Sequence, residues 1–208
     1  MKTKTKMLAL LMLSLFFMNG ANAQFAVGTR HGISMSTLSQ TGDLTDNDKM
    51  IATYTGGLFV TVPVKGDFAI QPELNYLCKG RSSEETEFTT TEFSSRYHYL
   101  QVPVMLRYNS NVTGNENTKL YFTAGPYASA LLKSQCKLKN CNEWSDDNYD
   151  NEDKDPDLGV IFGMGVTFPV KSLKLQADLR YDMGLSKLNY QPDDYRTKAL
   201  SLTLGIIF

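Results

Sequence analysis

The chain carries two histidines, His31 and His98. Histidine changes charge near neutral pH and serves as a general base. His98 lies close to Glu92, Ser94 and Ser95, which together supply the residue types of a hydrolytic triad. Farther on, Glu143, Asp146, Asp147, Asp150, Glu152, Asp153 and Asp155 crowd one polar stretch. Hard oxygen ligands suit calcium, so Asp146, Asp147, Asp150, Asp153 and Asp155 are its candidate ligands. The spacing is not that of an EF-hand, because Asp153-x-Asp155-x-Asp157 runs into Leu158 where that loop needs glycine. The alternative is a solvated acidic loop. Cys136 and Cys141 could close a small disulfide loop in an oxidising compartment, leaving Cys78 over. Incidental free thiols are the other reading.

What these groups can do depends on the elements that carry them. In Leu173–Leu185 every odd position is apolar: Leu173, Leu175, Ala177, Leu179, Tyr181, Met183 and Leu185. Every even position is polar, charged or glycine. A strand sends successive side chains to opposite faces, so one face is greasy and the other ionic. The alternation runs unbroken for thirteen residues. A half-buried soluble strand averages about five or six, whereas a tilted strand crosses a bilayer in about 9–11.

The same period recurs along the chain. It predicts strands at Phe25–Ser36, Ile51–Val64, Phe68–Lys79, Ser95–Tyr108, Lys119–Leu132, Asp157–Phe168, Leu173–Leu185 and Thr197–Phe208. Their connections read long, short, long, medium, long, short, long. An even strand count with this rhythm predicts an all-β fold, an eight-stranded antiparallel up-and-down transmembrane β-barrel. Both termini and the short turns would then be periplasmic. Pro72 removes a ladder donor and demands a bulge or a locally unpaired site. The Thr- and Phe-rich part of the Gly80–Ser94 connection predicts a hairpin projecting beyond the membrane, with an edge open to strand addition; the alternative is a flexible acidic loop with no partner.

The start of the chain sets the compartment. Lys2, Lys4 and Lys6 precede the apolar run Met7–Met18, and Ala21-Asn22-Ala23 is a small-x-small cleavage site. This is a secretory signal peptide over residues 1–23, with the barrel domain over 24–208. No later stretch reaches the roughly 18 apolar residues of a transmembrane helix. The net charge of −1 argues against a nucleic-acid partner.

The inward charges in this register are Arg30, Arg107, Lys174 and Arg180 against Glu73, Asp178 and Asp182. Eight strands leave an interior just wide enough for side chains to fill. Mixed charges in that space should pair, forming a plug, whereas a one-sign ring would mark an ion path. Slipping the Leu173–Leu185 strand by one residue would turn Lys174, Asp178, Arg180 and Asp182 to lipid. Each midplane Lys or Arg there costs about 2–4 kcal/mol, so the register is well defined. Alternation also separates neighbours on one strand, which works against a triad built from Ser94, Ser95 and His98. No catalytic residue is assigned and no cofactor is expected.

Several stretches carry a resemblance: FAVGTRHGISMS at Phe25–Ser36, IQPELNYLCKG at Ile70–Gly80, YLQVPVMLRY at Tyr99–Tyr108, FTAGPYASAL at Phe122–Leu131, and RYDMGLSKL with LSLTLGIIF at the end. The chain resembles the outer-membrane β-barrel family often labelled porin-family or PorT-like, abundant in Bacteroidetes-type bacteria. The resemblance covers essentially all of the mature chain. It implies fold and compartment, the outer membrane of a Gram-negative bacterium, and brings no catalytic residues with it. Phe208, ending an alternating strand, resembles the C-terminal signal read by the barrel-assembly machinery. The expected role is a small closed barrel that acts as an envelope-structural or loop-mediated binding protein. Its expected partners are outer-membrane lipid, lipopolysaccharide and an extracellular protein. Small-solute transport or membership of a secretion assembly is the alternative, and a lipid-modifying enzyme built on His98 is the third reading.

Overall fold

A strand with one face for lipid cannot leave its edges open, because lipid satisfies no backbone N–H or C=O. The computed structural model, which describes residues 25–40, 49–83, 93–112, 115–138, 145–146, 156–186, 188–190 and 193–208, meets that demand by closure. Ten strands follow in chain order among the described residues: β1 (Ala26–Gln40), β2 (Lys49–Lys65), β3 (Phe68–Ser83), β4 (Phe93–Val112), β5 (Asn115–Leu138), β6 (Ser145–Asp146), β7 (Asp157–Val170), β8 (Leu173–Gly184), β9 (Leu188–Tyr190) and β10 (Asp193–Ile207). Eight of them, all but the short β6 and β9, form an antiparallel ring in sequence order. The ring closes where β1 pairs with β10, from Gly28 opposite Ile207 to Gln40 opposite Tyr195.

The barrel is greasy outside and polar inside. On β10, Leu200, Leu202 and Leu204 are exposed while Ser201 and Thr203 between them are buried. Phe25, Phe68, Phe168 and Phe208 are exposed at the end that holds the termini and tight turns. Such aromatics form the girdle at a membrane boundary. The turn between β2 and β3 places Gly66 at φ 58°, and the turn between β7 and β8 places Lys171 at φ 56°.

The strands run on past the ranges that alternation predicts. β3 and β4 pair as far as Ser83 opposite Phe93, so the hairpin does extend beyond Gly80; residues 84–92 lie outside the description. The polar stretch expected as a turn of middling length, Asn109–Thr118, is strand up to Val112 opposite Asn115. β5 continues to Leu138 and carries β6 on its edge, and the expected loop Ser186–Arg196 contains a small hairpin of β9 with the start of β10. The ladder continues because backbone pairing needs no apolar face. Where no lipid demands an apolar outer face, the alternation that marks a strand in the sequence is no longer required. Pro72 brings no bulge, since β3 and β4 keep one register from Pro72 opposite Val104 to Asn75 opposite Gln101. It does bring a locally unpaired site: β2 and β3 pair at Phe59 opposite Glu73 and again at Val62 opposite Ile70, with Gln71 and Pro72 left out of the ladder between them.

Candidate functional site

The interior is the place where function could reside, and its side chains stack in three levels. Nearest the tight turns, Arg107 of β4 donates from Nη1 to Gln71 Oε1 at 2.9 Å and from Nη2 to Thr167 Oγ1 at 3.0 Å. Its guanidinium carbon lies 3.6 Å from the centroid of the Tyr121 ring, a cation–π stack. The Tyr121 hydroxyl in turn donates to Asp178, which also accepts from Gln176 Nε2 at 3.0 Å. A flat guanidinium on an aromatic face reaches its carboxylate here through a phenol.

Glu73 organises the middle level. Its Oε1 accepts from Arg30 Nη2 at 2.9 Å and Arg180 Nη2 at 2.7 Å. Its Oε2 accepts from Arg180 Nη1 at 2.8 Å and Asn75 Nδ2 at 2.9 Å. Arg180 therefore grips the carboxylate with both nitrogens of its fork, the strong bidentate form. Arg30 also stacks on Phe59, at 4.7 Å from the centroid. These contacts join β1, β3 and β8 across the lumen.

The upper level is built on Lys79 and Asp157, paired at 2.8 Å. Lys79 Nζ also donates to Thr197 Oγ1 at 2.9 Å and sits 5.5 and 5.2 Å from the Tyr99 and Tyr127 ring centroids. Asp157 Oδ1 accepts from Ser186 at 2.9 Å, tying the segment after β8 into the same cluster. Bulky tyrosines fit because β7 opposes them with glycines. A Cβ at Gly159 would lie 2.6 Å from Tyr127 Cε1, and one at Gly165 would lie 2.5 Å from Tyr121 Cζ.

The buried charges balance among the described residues: four cations, Arg30, Lys79, Arg107 and Arg180, face four anions, Glu73, Asp157, Asp178 and Asp182. A cavity of about 10 Å³ lies between the levels, bordered by Arg30, Thr55, Asn75, Gln101, Arg180 and Asp182. That is room for about one water.

Of the residues expected in the lumen, the structure brings together Arg30, Glu73, Arg107, Asp178, Arg180 and Asp182, all buried. Lys174 is a correction: it is exposed, one residue past the start of β8 and opposite Pro169 and Ile207 at their strand ends. Its parity is inward, but at the mouth of the barrel inward no longer means covered. Lys79 and Asp157 are the members that sequence reasoning left out. Both have inward parity with Glu73 and Gly159, but they stand at the ends of predicted strands, Lys79 last in one and Asp157 first in another, where parity does not say whether a side chain is covered.

The remaining candidates fall elsewhere. Cys141, Asp147, Asp150, Asp153 and Asp155 lie outside the described residues. Cys136 in β5 stands opposite Ser145, and Asp146 in β6 opposite Gln135. Cys78 is a buried free thiol. His31 and His98 sit on the outer wall. His98 Nδ1 is 2.6 Å from the Tyr76 hydroxyl, and its Nε2 is 3.0 Å from Gln135 Oε1. Glu92 lies outside the described residues, while Ser94 and Ser95 belong to β4.

A family described as outer membrane protein beta-barrel domain matches residues 19–190. Among solved structures, Neisserial surface protein A is similar over 90% of this chain and 100% of its own, at 15% identity and a TM-score of 0.50. The outer membrane protein OprG from Pseudomonas aeruginosa is similar over 90% of this chain and 98% of its own, at 9% identity and a TM-score of 0.50. At such identities the likeness is one of fold. No curated protein matches the chain in sequence.

Proposed function

Since the chain belongs to the outer membrane protein beta-barrel domain family, we propose that it is a closed, non-conducting barrel of a Gram-negative outer membrane that works through its exposed loops, as an envelope-structural or binding protein. The observation that carries this reading is the filled lumen. Three levels of paired or hydrogen-bonded charges from Arg107 to Lys79 cross it, and four buried cations offset four buried anions among the described residues. A path for ions would instead present charges of one sign to water. Transport of small solutes is the competing reading. Planar-bilayer recording of the purified protein separates the two: silence is expected, and steady single-channel currents would replace the plug with a pore.

Further parts of the reading rest on the sequence. Residues 1–23 export the chain and are removed after Ala23, and the resemblance of the wall motifs supports membership of the PorT-like, porin-family branch. Phe208 addresses it to the barrel-assembly machinery. Lipopolysaccharide surrounds the outer end, and an extracellular protein is the partner of the loops. No catalytic role is assigned to His98, whose two ring nitrogens face Tyr76 and Gln135 on the lipid side of the wall.

A further inference from the structure

The outer wall is not uniform. Across β1 to β4 runs a chain of rings: His31 to Tyr54 at 6.2 Å between centroids, Tyr54 to Tyr76 at 6.4 Å, and Tyr76 to His98 at 5.9 Å. Hydrogen bonds of 2.6 Å tie His31 to Tyr54 and Tyr76 to His98. Gly56 lies at the centre, opposite His31 on one side and Tyr76 on the other. A Cβ there would come within 2.9 Å of Tyr54 Cζ and 3.0 Å of His31 Nδ1, so the glycine makes the notch that lets the Tyr54 ring lie against the wall. Arg96 follows His98 on the same face of β4, and exposed Lys133 is the cross-strand partner of His98 on β5. On β7, Leu158 and Val160 face outward instead.

Height along the barrel locates the patch. Tyr108 stacks with Phe68 near the tight-turn end, with centroids 5.1 Å apart. From Tyr108 up β4 to His98 the chain climbs about 25 Å, taking a rise of about 3.3 Å per residue and a tilt of about 40°. That equals the height of the apolar band of an outer-membrane barrel, about 25 Å. His98, Arg96 and Lys133 therefore stand at the outer-leaflet boundary, and the ring contacts of His98 with Tyr76 and of Tyr76 with Tyr54 bring both tyrosines beside them.

We infer that this face of β2 to β5 binds the phosphorylated sugar headgroup of an outer-leaflet glycolipid. The inference rests on the membrane placement given above. Guanidinium and ammonium groups complement phosphate by charge, and Arg presents a planar fork to its oxygens. Flat phenol and imidazole rings give a sugar both an apolar face and hydrogen-bonding edges. A wholly lipid-chain neighbour would use neither.

The test is native mass spectrometry of the refolded full barrel in detergent, with bis-phosphorylated lipid A or its dephosphorylated form added. Each protein is first shown to be folded by its heat-modifiable gel shift and to insert into vesicles. The unaltered protein should retain the phosphorylated lipid in preference to the dephosphorylated one. The double variant Arg96→Gln/Lys133→Gln should retain about thirtyfold less, given what each cation contributes near an anionic lipid surface. Tyr54→Leu/Tyr76→Leu should lower retention of both lipids. Lys198→Gln, an exposed site on β10, should change nothing. Equal retention by the Arg96/Lys133 variant, an equal loss in Lys198→Gln, or a dimer that covers the patch whether or not lipid is present would overturn the inference. Failure to enter vesicles would instead strike at the membrane reading itself.

Discussion

Glu73 shows how a single side chain can hold a lumen together. Its carboxylate is fully covered and meets two arginines, Arg30 and Arg180, while Gln71 and Asn75 supply further donors. Two arginines on one carboxylate would repel each other if the anion were missing, and neither can shed its proton. Glu73→Gln keeps the shape but removes the charge. Leaving partners of a buried pair uncompensated costs about 3–5 kcal/mol. Urea unfolding of the variant in lipid vesicles should show a loss of that size, and a loss below about 1 kcal/mol would mean that the arginines find water or Asp182 instead. Tyr121 plays a quieter part: it separates Arg107 from Asp178, yet touches both, so the lower level is joined without a direct ion pair among the described contacts.

At the scale of elements, turns and strands divide the work. The turn from β2 to β3 is tight because Gly66 takes φ 58°. A Cβ there would meet nothing within 4 Å, so a substitution is opposed by backbone conformation alone. Gly66→Val should therefore destabilise the barrel by about 1–2 kcal/mol, the left-handed penalty of an L-residue. A larger loss in vesicle unfolding would reveal a contact that this geometry does not contain. Lys171 holds the equivalent position in the turn from β7 to β8 without being glycine, which shows that such a turn bears the penalty when the flanking strands fix it. Those strands pair continuously from Val170 opposite Leu173 to Gly159 opposite Gly184.

For the whole molecule, stacking three levels makes closure redundant. Lys79 crosses the upper part of the lumen, but Glu73 with its arginines and Arg107 with Tyr121 lie beneath it. Lys79→Met should loosen the attachment of Asp157, Thr197 and Ser186 while leaving the barrel silent in planar bilayers. Steady current through that variant would show that the upper level alone is the seal. The small cavity between levels, about 10 Å³, offers no continuous route by itself.

What the sequence determined by itself was every face. Alternation in Leu173–Leu185 and in seven further stretches predicts eight ring strands and says which residues look inward, and the inward side chains Arg30, Glu73, Arg107, Asp178, Arg180 and Asp182 are all buried. A period of two survives in sequence because lipid and lumen impose opposite demands on successive residues. Tertiary structure alone decided where those demands stop. Lys174 has inward parity but lies at the mouth, in water; Lys79 and Asp157 have the same parity and lie deep enough to pair. Which anion meets which cation was equally beyond the sequence, since Arg180 and Glu73 stand 107 residues apart and meet only because closure of the ring brings β8 and β3 to face each other across a narrow lumen. The ring chain from His31 to His98 was set the same way, by a register that places Gly56 between His31 and Tyr76, a match that no single strand contains.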